Sequence, residues 1–147
     1  MPFTYLPKIQ VRDKTFYIIG DCSPSLSGGA LLCIEIGSEK IYRISKNYEK
    51  EYFYVFMNTN LEHFLLFLAH YNIVLEEENK RIEAKQRQTA TEARAEYEAL
   101  KDQFNQIDSK AIADRGFGWG HILDLFRMDV ESLEYEETDQ DISYDDL

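Results

Sequence analysis

No lysine, arginine or histidine follows Arg127, yet nine acids do: Asp129, Glu131, Glu134, Glu136, Glu137, Asp139, Asp141, Asp145 and Asp146. Those nine carry most of the formal net charge of -11, because the other 18 of the 27 acids stand against all 16 bases. Binding to phosphates requires lysine and arginine to displace condensed counterions, so this balance argues against direct contact with DNA or RNA and favours a cationic protein partner. Cysteine is nearly absent. Cys22 and Cys33 have neither metal-ligand spacing nor a framework of further cysteines, and both are read as small buried hydrophobes in a reducing compartment. Long apolar runs are missing too. No stretch approaches the roughly eighteen apolar residues of a membrane span, and residues 1–13 lack a signal-peptide apolar region, so a cytoplasmic protein without a membrane role is expected.

Catalytic and metal-binding patterns are equally scarce. Among the three histidines, His63 and His70 lie seven positions apart, on nearly one side of a helix but separated by roughly 10 Å along its axis. One metal ion does not bridge that span, and no third ligand has suitable spacing, so no metal and no cofactor are expected and the histidines, His121 included, are read as packing or surface residues. Gly116, Gly118 and Gly120 miss the dinucleotide-binding spacing, and no Lys-Ser/Thr follows them; close backbone packing beside Phe117 and Trp119 explains them better. Ser23, Ser25 and Ser27 have no G-x-S-x-G context. Without a nameable nucleophile, base and orienting group, a hydrolase or nucleotide-binding role ranks last, and catalytic residues are expected to be none.

The chain is rich in aromatic residues, with ten tyrosines and nine phenylalanines. At 147 residues it has the length of one domain and buries roughly two thirds of the surface of its unfolded form. Aromatic or β-branched runs at 15–19, 30–36, 40–44 and 52–57 predict four strands, the middle two forming a hairpin around Gly37-Ser38-Glu39. The period then changes. Thr59 and Glu62 have capping-box spacing, and Leu61, Phe64, Leu65, Leu68 and Tyr71 or Asn72 predict a helix with one apolar face. From residue 76 to about 106 a charged helical stretch follows, continuous or interrupted once near 86–91, with Ala93, Tyr97, Leu100, Phe104 and Ile107 as a narrow stripe. Trp119, Ile122, Leu123 and Phe126 predict a last helix. Strands before helices, without βαβ alternation, give an α+β fold: an antiparallel sheet of about four to six strands covered by helices. The expected division is one domain over residues 1–128 and an acidic tail over 129–147, in which Leu133, Tyr135, Ile142, Tyr144 and Leu147 are interleaved with the acids.

The segment YFYVFMNTNLEHFLLFLAHY, from Tyr52 to Tyr71, joins an aromatic strand ending in Asn to a capped Leu-Glu-x-Phe-Leu-x-Phe-Leu helix. It resembles the central signature of the SUKH superfamily, especially its divergent branch of bacterial toxin-immunity proteins. The hairpin strand ending in Ile36-Gly37-Ser38 and the helix opening Trp119-Gly120-His121-Ile122-Leu123 are similar to neighbouring features of these domains. The Leu-Pro-x-x-Tyr-x-x-Phe-Leu opening of the commonest branch is missing. The resemblance implies a non-enzymatic immunity protein, an antitoxin that binds a cognate toxin, often a nuclease, by protein–protein interaction. The alternative is a scaffold or signalling adaptor of the same fold that uses residues 76–107. For a basic toxin the expected contacts are Glu134, Tyr135, Glu136, Glu137, Asp139, Asp141 and Tyr144, with carboxylates meeting cations and tyrosines as anchors. Monomer and homodimer are both open at this point.

Overall fold

The computed structural model describes residues 5–21 and 29–140, with side chains described through Thr138. Five strands come first: β1 (Lys8–Val11), β2 (Lys14–Asp21), β3 (Leu31–Glu35), β4 (Ile41–Lys46) and β5 (Tyr52–Asn58). Three helices follow: α1 (Leu61–Glu83), α2 (Ala90–Asp108) and α3 (Gly118–Gln140), with a 3-10 turn at Ser109–Ile112 between the last two. The fold is α+β. The sheet is an antiparallel meander in chain order, so each strand pairs with its sequence neighbours. β1 is the strand that the sequence patterns do not announce. It folds back on β2 through a two-residue turn of Arg12 and Asp13, with Arg12 at φ 55°, where Asn-Gly would be the usual signal.

Period-two alternation sorts the strand side chains onto two faces. Tyr17, Ile34, Ile41, Val55 and Met57 face the helices, while Val11, Phe16, Cys33, Tyr42 and Ile44 form a second buried cluster on the opposite face. No described helix packs on that second face. The sheet covers it by curling: the register shifts at Ile18/Gly20 and at Ile41/Tyr42, and an extra residue on one strand bends it and increases its twist. β1 thereby approaches β5, and the Tyr54 hydroxyl donates to Asp13 Oδ1 at 2.7 Å to tie β5 to the β1–β2 turn. Inside the curl, Tyr42 meets Phe16, Tyr54 and Phe56 edge-on or tilted at 5.3 to 5.7 Å. Cys33 lies fully buried there, as expected; Cys22 is outside the described residues.

The helical layer packs through aromatic rings. Phe67 and Phe104 stack with centroids 3.9 Å apart, and Trp119 stands edge-on to both at 5.5 and 5.4 Å. Truncating one such ring costs about 3–5 kcal/mol, so this contact fixes α1, α2 and α3 together. On α1 the buried positions are Phe64 and Phe67, whereas Leu65, expected on the core face, is 54% exposed. The expected stripe fits Ala93, Tyr97, Leu100 and Phe104, all buried on α2. The predicted interruption falls at residues 84–89, and α2 then begins with a capping box of Thr89 and Glu92. The box expected at Thr59 and Glu62 does not form: Asn60 is the cap of α1, its Oδ1 accepting from the His63 N–H at 2.8 Å. Gly118 and Gly120 allow α3 to start close to its neighbours. At Gly118, which has φ 63°, a Cβ would lie 2.9 Å from the Phe56 carbonyl, and at Gly120 it would overlap the Asp114 carbonyl.

Candidate functional site

Thr59 is not a cap because it has a more distant partner. Its N–H donates to Asp108 Oδ2 and its hydroxyl to Asp108 Oδ1, both at 2.8 Å. Asn58, fully buried at the end of β5, donates to Asp108 Oδ2 at 3.2 Å and accepts the Trp119 indole N–H at 2.8 Å. Four chain segments therefore meet in one buried polar knot: the end of β5, the entry to α1, the last residue of α2 and the start of α3. Buried polar atoms without partners are costly, and mutual hydrogen bonding removes that cost here. The knot also unites two features read separately in the sequence, the Asn ending the aromatic strand and the tryptophan opening the last helix. His63 borders it, with Nδ1 3.5 Å from Asp108 Oδ2. Asp108 and Arg94 gave no local signal in the sequence, since each matters only through a distant partner.

Trp119 sets the direction of α3, which runs without a break past Met128 and through residues 129–140. Val130 is buried in the main core and Leu133 packs against it, so this acidic stretch has an apolar side docked on the domain. The acids on its α2-facing side are engaged. Glu134 accepts a two-pronged contact from Arg94, at 2.6 Å from Nη2 and 3.1 Å from Nε. Hydrogen bonding to that guanidinium holds the Glu134 carboxyl below the usual carboxylate range and raises Arg94. Glu137 accepts the backbone N–H of Ala90 at 2.7 Å, where the first turn of α2 has free amides. Glu136 reaches Arg87 at 3.5 Å with both side chains mainly exposed, a contact of little energetic weight.

The expected contact residues thus divide. Glu134 and Glu137 brace α3 against α2, Tyr135 and Glu136 face solvent, and Asp139 lies in the last turn of α3. Asp141 and Tyr144 lie outside the described residues.

A half-open cavity of about 490 Å³ follows β5 between the β1–β2 turn and the 3-10 segment. Its lining combines Phe53, Val55 and Phe117 with Arg12, Lys110 and Asp114; none of the three histidines takes part. Among the described residues no group of three or more His, Cys, Asp or Glu is placed to hold a metal ion. No described helix is long and apolar enough to cross a membrane.

A family model described as SUKH-4 immunity protein matches residues 11–125, which span β2 to β5, α1, α2 and the start of α3. No curated protein and no solved structure matches the chain.

Proposed function

The chain belongs to the SUKH-4 immunity protein family, and on that premise we propose that it neutralises one cognate bacterial toxin, a basic nuclease, by binding it and covering its active surface. The family match carries the immunity role. The distribution of charge supports the basic partner: α3 presents acids over residues 129–140 with no base among them, and such a field accelerates encounter with a cationic surface. The contact is formed by the acidic end of the chain, with Tyr135, Glu136 and Asp139 on α3 and Asp141 and Tyr144 beyond it, while Glu134 and Glu137, expected among the contacts, act by holding α3 in place against α2. Neutralisation requires no bond chemistry by the immunity protein, so occupancy of the toxin is the whole mechanism. The toxin's phosphate-binding cations meet carboxylates instead, and its substrate is displaced by charge and volume. The protein acts in the cytoplasm, where a nuclease would find its substrate.

Co-expression with a cognate toxin, sought among genes that neighbour this one, tests the proposal. Expected are rescued growth and a stable complex; continued growth arrest, with both proteins folded and abundant, overturns it. Removal of residues 129–147 is an unsuitable probe, because it takes Val130 and Leu133 out of the core. Point substitutions on the solvent side of α3 leave the core intact.

A further inference from the structure

We infer that the outward face of α3 is a docking surface for an amphipathic helix that carries lysine or arginine beside its apolar seam, above all on the flank that meets Asp129 and Glu136. The inference deepens the immunity reading, on which it rests for the existence of a partner, by stating which face binds and what binds there.

At about 100° per residue, Leu125, Met128 and Tyr135 share one stripe about 80° wide. They are 48%, 53% and 69% exposed, respectively. The stripe points away from Trp119, Leu123 and Val130, which bury the opposite side of the same helix. Their spacing of three and seven, with Ser132 between, is the a/d spacing of a helix seam, which favours another helix over a flat surface. A helix that already has its core contacts gains nothing in stability from a second, solvated apolar stripe; such stripes mark interaction surfaces.

Charge selects the occupant. Asp129 and Glu136 line one side of the stripe, and Asp124 and Glu131 line the other, at the positions that set partner choice in helix pairs. Asp124 is held by Arg115 and Arg127, and Glu131 by Arg127, whereas among the described residues the other flank has only the weak Glu136–Arg87 contact. A second copy of this chain would set acids against acids, and an anionic lipid surface would be repelled in the same way. A helix whose basic residues meet Asp129 and Glu136 satisfies both the seam and its unneutralised border.

The test uses the full chain and two fluorescent peptides of about three heptads, each with leucine at a and d; one has lysine at e and g, the other glutamate. Anisotropy should show saturable binding of the lysine peptide alone, weakened by about tenfold or more in the Leu125→Asp/Met128→Asp variant. Both positions are solvated, so that variant should keep its thermal midpoint. The Asp129→Lys/Glu136→Lys variant should weaken the lysine peptide and gain binding to the glutamate peptide, a reversal that misfolding does not produce. No binding of the lysine peptide, equal binding of both peptides, indifference to the Leu125/Met128 change, or self-association of the chain through this face would each overturn the inference. Its failure is distinct from failure of the immunity reading: neutralisation in co-expression that persists in the Leu125→Asp/Met128→Asp variant sinks the docking face alone, while peptide binding without neutralisation sinks the immunity role alone.

Discussion

One carboxylate, Asp108, accepts three hydrogen bonds from two residues that lie 49 and 50 positions earlier in the chain. Its removal leaves the buried Asn58 amide group and the half-buried Thr59 amide and hydroxyl without their acceptor. Since each unsatisfied buried group costs about 1–3 kcal/mol, Asp108→Ala should destabilise the fold by about 3 kcal/mol, and Asp108→Asn, which keeps one acceptor oxygen, by about half of that. Urea unfolding followed by Trp119 fluorescence measures both, and an Asp108→Ala midpoint equal to wild type would show that the knot contributes no stability. The same residue explains a limit of local pattern. Thr59-x-x-Glu62 and Thr89-x-x-Glu92 have identical capping spacing, but only Thr89 is free to use it. Thr59 is held by Asp108, and Asn60 takes over the cap.

Among the elements, the break between α1 and α2 has a defined geometry. The Gln86 N–H reaches the Arg81 carbonyl at 2.9 Å and the Lys85 N–H reaches that of Ile82 at 3.1 Å, a Schellman closure with Lys85 at φ 53°. Glycine adopts that conformation without strain, so Lys85→Gly should raise stability by about 0.5–1 kcal/mol, read as a higher urea midpoint with unchanged slope. The helix interruption was legible as a polar run, but without a glycine its exact turn was not. β1 was hidden for a related reason, since Arg12-Asp13 is an uncommon two-residue turn. Strands β2 to β5 and the stripe of α2 were readable because their apolar periods are regular. Leu65 misled because the α1 core is set by the partners of Phe67, not by α1 alone. The bracing of α3 by α2 predicts a pH effect. Glu134 has a folded pKa below its ordinary value of 4.5, so the Arg94 contact stabilises the fold above that value and is lost as pH falls through the lower folded one. Wild type should therefore lose more stability than Glu134→Gln between neutral pH and pH below about 4, while the two acid-unfolding curves keep a constant offset above about pH 6. Parallel curves throughout would remove the ion pair from the account of α3 docking.

For the molecule as a whole, charge and shape have separate jobs in association. A net charge of -11 opposes self-association, so the isolated protein should sediment as a monomer at low and at moderate salt. In the proposed complex the same charge steers a basic toxin, whereas the proposed docking stripe of α3 holds it once bound. These contributions appear in different rate constants, because steering acts on encounter and buried contacts act on dissociation. Asp129→Asn/Glu136→Gln should slow association with the toxin by a few-fold at low ionic strength, with the difference fading once the Debye length shrinks to about 3 Å near 1 M salt. Leu125→Ala/Met128→Ala should leave the association rate nearly unchanged and speed dissociation by about tenfold or more. Stopped-flow mixing across a salt series separates the two. An association rate indifferent to salt would mean that the acidic face of α3 does not guide encounter, and the toxin contact would then have to lie on a surface where the 18 remaining acids are balanced by the 16 bases.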